Sequence, residues 1–362
     1  MLTITRRLAL ALVASAALVT PSLAQEAKET AKIGFIYPGP VGDVGWAKEL
    51  DRGREAVEAE FGDRVETVVA ENIAEGPDAA RVMQQMLADG ADMLMLGSFG
   101  FMNDGLRLAQ QNPDVDFIHA SGFKLAPNFG NFQTRNYESA FIAGLAAGDR
   151  SESGTLGVVA AYPIPEVIGI INAFTLGARQ MNPDATVRVV WLNSWLDPAK
   201  AQDSARSLHA GGADVIFSLY QDTPSVVSIA EETGFDVINT SSDMKQYAGD
   251  NYVMGLGIDW GAYFIDQVAA HLDGTFEGTP YWGGMADGAV AVRSLTDDLS
   301  DEARAAIEEA MAGMESGTFH PLTGPVTDQD GTERLAEGTT IEDGALLGID
   351  WLVEGVETRI PN

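Results

Sequence analysis

The chain has 362 residues, a formal net charge of −31 and no cysteine. A surface this acidic argues against nucleic acid and anionic membranes as partners, although solubility alone also explains the charge. The absence of cysteine excludes disulfides and thiol chemistry. The length exceeds that of one ordinary domain and predicts two.

The first 24 residues have the pattern of a secretory signal. Arg6 and Arg7 form a positive region, residues 8–19 an apolar core, and Ser22-Leu23-Ala24 a small-residue cleavage site. The apolar core is too short to cross a bilayer, and no cysteine near the cleavage site is available for a lipid anchor. The sequence therefore predicts a soluble, exported protein that is cleaved after Ala24 and is not lipid-anchored.

Residues 32–54 predict a strand, a loop and the beginning of a helix. The apolar run Ile33–Tyr37 is typical of a buried strand, and the glycines and prolines of residues 38–42 force a loop. Asp43 is a candidate N-cap for a helix that carries Trp46 in its first turn. Because α/β proteins bind ligands at the carboxyl ends of their strands, Trp46 either fills the core or faces a ligand crevice.

Downstream of this stretch, strand-like and helix-like segments alternate. The predicted strands are residues 65–73, 93–97 and 117–120, and the predicted helices are residues 78–89 and 102–111. Strands separated by helices of this length indicate a parallel sheet with helices on both faces.

The second half of the chain repeats the first. Four elements return at offsets of 120 to 123 residues: Ile33-Gly34-Phe35 as Leu156-Gly157-Val158, Gly90-Ala91-Asp92 as Gly212-Ala213-Asp214, Asp116-Phe117-Ile118 as Asp236-Val237-Ile238, and Tyr137 as Trp260. This period is too long for a solenoid and indicates two homologous α/β domains. Two such domains meet along a cleft, and small molecules favour sites between domains.

The repeat suggests where the two lobes divide. We expect residues 25–148 and approximately 256–290 to form the first lobe. Residues 149–255 and approximately 291–362 then form the second. The tail from residue 317, rich in glycine, threonine and acids, is expected to wrap one lobe as short strands and turns.

The motifs of common enzyme classes are absent from the sequence. The four histidines form no metal-ligand cluster, and no phosphate-binding loop, nucleophile elbow or dinucleotide-binding glycine motif occurs. We therefore predict that the protein has no catalytic residue, metal or cofactor. Solute binding is the simplest function that fits. An exported enzyme on a duplicated α/β scaffold and a ligand sensor for a membrane receptor stay open as alternatives.

Three stretches connect the chain with a known family. Lys32-Ile33-Gly34-Phe35-Ile36, the loop ending Gly42-Asp43-Val44-Gly45-Trp46, and the segment Ser139-Ala140-Phe141-Ile142-Ala143-Gly144-Leu145-Ala146-Ala147-Gly148 resemble the basic membrane protein (BMP) family. Members are substrate-binding components of ABC importers. The resemblance implies the type I periplasmic-binding fold and a monomer in the periplasm. It also implies a purine ligand and an ABC permease in the inner membrane as partner.

Two departures from the family pattern bear on the ligand. Nucleoside-binding members carry a Phe-Asn pair where this chain reads Trp46-Ala47, and a ribose-binding lysine where it reads Gly255-Leu256-Gly257-Ile258. Without the lysine, ribose loses a polar partner. These differences favour a free base, such as adenine, guanine or hypoxanthine, and a purine nucleoside stays the alternative.

A flat purine needs aromatic faces to stack on and polar partners at its edges. The candidate ligand-binding residues are Trp46, Phe99, Tyr162, Asn193, Trp195, Asp222 and Asp243. All of them lie in loops or at strand ends that the parallel sheets would bring to the cleft.

Several of these candidates have a structural alternative. Asn193 and Trp195 share a face with Trp191 only if their strand runs that far. Asp222 is placed either to contact the ligand or to cap a helix that begins at Thr223. Asp243 is likewise a cap or a rim contact.

Overall fold

The computed structural model describes residues 27–361. The predicted signal segment and its cleavage site lie outside the described residues. The predicted α/β class is confirmed: two six-stranded sheets, each flanked by helices, form two lobes of the type I periplasmic-binding fold.

Strands and helices alternate in the first half of the chain, as the hydrophobic pattern predicts. The elements are β1 (Ala31–Ile36), α1 (Trp46–Phe61), β2 (Val65–Ala70), α2 (Pro77–Ala88), β3 (Met93–Leu96), α3 (Met102–Gln111), β4 (Asp116–Ala120), β5 (Phe129–Thr134) and α4 (Asn136–Arg150). The predicted strand 65–73 ends early at Ala70. Two residues later Asn72 has a φ of 57°, which extended backbone does not allow.

The same alternation continues through the second half. The elements are β6 (Thr155–Ala160), α5 (Pro165–Met181), β7 (Thr186–Trp191), α6 (Pro198–Ala210), β8 (Val215–Ser218), α7 (Ala230–Thr233), β9 (Asp236–Asn239), β10 (Tyr252–Ile258), α8 (Gly261–Leu272), β11 (Pro280–Gly283), β12 (Val290–Leu295), α9 (Asp301–Glu315), β13 (Val326–Thr327), β14 (Glu333–Leu335) and α10 (Asp343–Leu346).

The two sheets have the same strand order. The first runs β11-β5-β4-β3-β1-β2 and the second β12-β10-β9-β8-β6-β7, so each inner strand has a counterpart five strands later. All pairs in the first sheet are parallel, whereas β12 runs antiparallel to β10 at the edge of the second. The common order confirms that the chain is built from two similar lobes.

The connections between the lobes follow from the packing of α4 and α8. Helix α4 follows β5 of the first sheet but packs against α5 and α9, while α8 follows β10 of the second sheet and packs against α1. We therefore propose that the chain crosses between lobes after Thr134, after Ile258 and after Gly283. This division assigns residues 136–150 to the second lobe, whereas the sequence pattern had suggested a boundary at 148.

Glycines explain why α4 lies against α5. A Cβ at Gly144 would lie 2.1 Å from the carbonyl oxygen of Phe174, and one at Gly177 would lie 2.1 Å from that of Phe141. Neither position has room for a side chain, so the two backbones approach closely. The segment 139–148 that carries the family resemblance is thus a helix-packing motif remote from the cleft.

The C-terminal tail forms short strands and turns, as predicted, and packs on the second lobe. The Asn172 amide of α5 donates to the Trp351 carbonyl and accepts from the Val353 backbone N–H, both at 2.9 Å. None of the helices within residues 27–361 has the length and apolar character needed to cross a membrane.

Candidate ligand-binding site

A cavity lies between the lobes where the carboxyl ends of the two sheets face each other. The space between its walls, counted together with the open solvent at its mouth, is about 390 Å³. Its walls are formed by Pro38, Trp46, Gly97, Ser98, Phe99, Ser121, Glu166, Trp195, Tyr220 and Asp222. Four of the seven predicted site residues, Trp46, Phe99, Trp195 and Asp222, therefore line one space.

Trp46 faces this cavity. Its indole Nε1–H donates to the Gly97 carbonyl at 2.8 Å, which fixes the ring over the end of β3. The ring meets Tyr220 and Trp260 edge-on, with centroids 5.5 and 5.9 Å away. The sequence allowed Trp46 either to fill the core or to face a ligand crevice, and in the structure it faces the crevice.

Helix α1 begins later than the sequence indicated. The expected N-cap, Asp43, lies outside the helix and accepts a hydrogen bond from the Tyr247 hydroxyl at 3.3 Å. The N-cap is Gly45, whose φ of 99° favours glycine. A Cβ at Gly45 would also lie 2.6 Å from the Cα of Asp222. Glycine at this position thus permits both the turn and the contact between lobes.

Asp222 contacts the opposite lobe instead of capping a helix of its own. Residues 223–226 form turns rather than the expected helix start. The Asp222 carboxylate accepts from the backbone N–H of Trp46 at 2.6 Å, and beside it the Gly45 N–H donates to the Ser242 hydroxyl at 2.8 Å. Two hydrogen bonds therefore join the start of α1 to the second lobe.

Another contact between the lobes involves Glu75, which was not among the predicted site residues. Its carboxylate accepts from Ser98 Oγ at 2.6 Å and from the Gly100 backbone N–H at 2.8 Å in its own lobe. It also accepts from Trp195 Nε1 of the second lobe at 3.1 Å. The Trp195 ring tilts against Tyr162, 5.0 Å between centroids, so Tyr162 supports it at the edge of the cavity.

Two carboxyl groups of the cavity wall have altered acidity. Burial raises the pKa of Asp222 to about 7, against the opposing effect of the Trp46 N–H. Burial also raises the pKa of Glu166, although hydrogen bonds from Ser121, Tyr220 and Asn136 oppose the shift. The Tyr220 hydroxyl donates to Glu166 at 2.5 Å. Near neutral pH, Asp222 is present in both the ionised and the neutral form.

Sequence reasoning missed the four other polar wall residues, Ser98, Ser121, Glu166 and Tyr220, as well as Pro38 and Gly97. Ser121 and Tyr220 follow β4 and β8 with φ values of 60° and 54°. Their positions just beyond strand ends were the available signal. Glu166 lies in the first turn of α5. The apolar segment that follows it indicates a core helix and gives no sign of a ligand contact.

Two predicted site residues lie away from the cavity. Strand β7 ends at Trp191, and Asn193 has a φ of 50° and is exposed, so the expected face shared with Trp195 does not form. Asp243 is exposed near the edge of the second sheet, where its carboxylate accepts from the Tyr252 and Ser294 hydroxyls, each at 3.0 Å. The condition for that shared face, a strand that continues past Trp191, is not met, because Asn193 takes a left-handed conformation.

Comparisons with known proteins place this architecture in a family. A family model described as ABC transporter substrate-binding protein, PnrA-like, matches residues 30–311. A purine-binding protein of Brucella abortus (strain 2308) is 38% identical over 338 residues, which cover 93% of this chain and 96% of that protein. A Haloferax volcanii protein with the provisional name of an ABC transporter glucose-binding protein is 33% identical over 337 residues, 92% of this chain and 82% of that protein.

Solved structures agree on the fold. A solute-binding protein of an ABC transporter system from Aeropyrum pernix K1 superposes with a TM-score of 0.68 at 16% identity, covering 79% of this chain and 92% of that one. Substrate-binding proteins of ABC importers hold a small-molecule ligand outside the cytoplasm and present it to a permease. The chain belongs to the Bmp family of PnrA-like ABC transporter substrate-binding proteins.

Proposed function

We propose that this protein captures a free purine base, such as adenine, guanine or hypoxanthine, between its lobes and delivers it to an ABC permease. The observation that carries the proposal is the composition of the cavity wall. Trp46 and Phe99 of the first lobe and Trp195 of the second supply aromatic surfaces, and Asp222 and Glu166 supply carboxyl groups. Among the described residues, those that line the cavity include no lysine, arginine or histidine.

This wall suits a flat, uncharged heterocycle. Stacking of a base on an aromatic side chain contributes about 1–3 kcal/mol per contact in single-strand binders. Stacking does not distinguish one flat ring from another. Discrimination between purines must therefore come from buried polar groups that an incorrect ligand leaves unpaired. An ionised carboxylate accepts hydrogen bonds from ring and exocyclic N–H groups, whereas a neutral carboxyl also donates to a ring nitrogen. Asp222, with its pKa of about 7, offers both forms.

The contacts around α1 support a base over a nucleoside. Trp46 packs edge-on against Trp260, and Gly45 is hydrogen-bonded directly to Ser242 of the other lobe. A ribose on this side of the ring would have to displace these contacts. The cavity wall also contains no lysine, among the described residues, to replace the hydrogen bonds that ribose makes with water.

The comparisons supply independent support and one competitor. The Brucella relative is named for purine binding, and it matches this chain over nearly its whole length. The Haloferax relative is named for glucose, and aromatic faces with carboxylates at the edge also suit a sugar ring. Glucose is therefore the second candidate ligand, and it belongs in every titration.

The same proposal includes the setting in which the protein works. We propose a monomer that is exported, cleaved after Ala24 and free in the periplasm. N-terminal sequencing of the mature protein should begin at Gln25, and light scattering should give the mass of one chain. A mature chain that keeps residues 1–24 would contradict the export step without affecting the ligand proposal.

Native mass spectrometry of the purified protein tests the ligand proposal. We expect a bound species with the mass of a free purine base, released intact on denaturation. A nucleoside mass would assign the protein to the other branch of the family, and a hexose mass would favour the glucose alternative. A chemically altered product after incubation with added purine would indicate an enzyme.

A further inference from the structure

A second cavity adjoins the first. The space between its walls, counted together with the open solvent at its mouth, is about 460 Å³. It shares Phe99, Ser121 and Glu166 with the first cavity. These three residues form the junction between the two spaces. The second cavity therefore continues the cleft beyond the proposed site for the ring.

Away from the junction, the wall of the second cavity combines apolar side chains with the polar residues Gln133, Thr134, Asn136 and Tyr137. Ile164 and Ile170 of the second lobe, Leu347 of the C-terminal tail and Phe123 of the loop after β4 contribute to it. Among the described residues it contains no lysine, arginine or histidine. Arg135 packs over the Trp282 ring and donates to the Tyr137 hydroxyl, both in this wall, but its guanidinium is already paired with Asp343 at 2.8 Å.

Phe123 adds exposed apolar surface to the wall of the second cavity. Its side chain is 54% exposed, the highest value among the large apolar residues that the structure describes. Burying this surface under an apolar group would remove it from water, which is favourable. The second cavity thus favours a hydrocarbon substituent.

The junction determines how such a substituent would be attached to the ring. Glu166 lies there and accepts hydrogen bonds from the Tyr220 hydroxyl at 2.5 Å and from Ser121 and Asn136. A carboxylate has about four lone-pair sites, so one further donor can still be accepted. A secondary exocyclic amine carries one N–H and one carbon substituent. The N–H can donate to Glu166 while the substituent continues past it.

We propose that the second cavity is a subsite for an apolar substituent on an exocyclic amine of the ligand, so that the protein binds N-substituted aminopurines as well as free bases. This inference rests on the proposed function, because it places the purine ring in the first cavity. It adds a ligand class and a second part of the site.

Calorimetric titration of the mature chain with adenine, N6-benzyladenine and N6,N6-dimethyladenine tests the inference. We expect N6-benzyladenine to bind at least as tightly as adenine, since its substituent gains apolar contact. N6,N6-dimethyladenine lacks the N–H at the junction and should bind about tenfold more weakly than adenine, because Glu166 loses its donor.

A pair of leucine variants locates the substituent. Leu347→Trp places a larger side chain in the wall of the second cavity and should lower the affinity for N6-benzyladenine relative to adenine by about tenfold. Leu125→Trp makes the same change at a residue outside both cavities that is 44% exposed, and should leave that ratio unchanged.

The outcomes separate this inference from the proposed function. Tight binding of adenine with N6-benzyladenine more than about tenfold weaker would overturn the subsite and leave the purine proposal standing. Tight binding of both with an unchanged ratio in Leu347→Trp would also overturn it, because the substituent would then lie elsewhere. Binding of neither compound would overturn the subsite, and the purine proposal would fall with it only if guanine and hypoxanthine also failed to bind.

Discussion

Asp222 of the second lobe accepts a hydrogen bond, 2.6 Å long, from the backbone N–H of Trp46, the first residue of α1 in the first lobe. The N-cap of α1 is Gly45, which has no side chain, so a partner for a free N–H group of the helix comes from across the cleft. The positive end of the helix dipole also favours a carboxylate at this point. Closure of the lobes thus brings an aromatic face and an acidic edge of the proposed site together.

Replacing Trp46 should weaken the binding of every purine. In Trp46→Ala the ring loses one stacking surface, and we expect a loss of about 1–3 kcal/mol in binding free energy for adenine, guanine and hypoxanthine alike. Calorimetry with all three bases measures the effect. Trp351→Ala is the matched control, since Trp351 lies on the tail of the second lobe outside both cavities. Unchanged affinities in Trp46→Ala would mean that Trp46 serves the fold alone.

The two roles of Asp222 can be separated by two variants. Asp222→Asn retains an oxygen that can accept from the Trp46 N–H, so the contact between lobes should survive. Asp222→Ala removes the contact and the polar edge together. We expect the alanine variant to lose affinity for every purine and the asparagine variant to lose it unequally among them. Small-angle scattering with saturating ligand should show a less compact alanine variant, and equal compactness of both variants would contradict a role in closure.

Binding should depend on pH through Asp222. The raised pKa of about 7 means that the carboxylate, which accepts hydrogen bonds from ligand N–H groups, is lost as pH falls. Affinity for adenine should therefore decrease between about pH 8 and about pH 6, and Asp222→Asn should remove much of this dependence. Glu166 in the same wall and Glu49, which accepts from Ser242, also titrate from raised pKa values and contribute the remaining dependence. A pH-independent affinity in the wild type would contradict an N–H donor at Asp222.

The α4–α5 contact should tolerate no added atom. Gly144→Ala places a Cβ against the Phe174 carbonyl at 2.1 Å, so the helices must separate, and overpacking of this kind costs about 1–3 kcal/mol of stability. Gly344→Ala is the matched control, because a Cβ there would meet no described atom within 4 Å. Urea denaturation of both variants measures the difference. Equal midpoints would contradict close backbone packing at Gly144.

Features set by local sequence were predictable. The alternation of strands and helices follows from hydrophobic periodicity, and the repeat offset anticipated the common strand order of the two sheets. Trp46, Phe99, Trp195 and Asp222 were identified because they follow strand ends, which parallel sheets bring to one cleft.

Features that depend on contacts between distant segments were not predictable. Glu75 and Glu166 each gain a partner from the opposite lobe, Trp195 and Ser121 respectively, and nothing in their sequence neighbours indicates this. Helix α4 belongs to the second lobe because its glycines pack against α5, and the sequence of α4 alone does not indicate that partner. Asn193 ends its strand early through a left-handed conformation that a single sequence does not reveal.

Side-by-side calorimetric titration of the mature protein with adenine, guanine, hypoxanthine, their nucleosides and glucose tests the central claim most directly. We predict that at least one free base binds more tightly than its nucleoside by about tenfold or more, since ribose would displace the contacts of Trp46 and Gly45 without gaining a cationic partner. Tighter binding of nucleosides, or binding of glucose in place of every purine, would contradict the account.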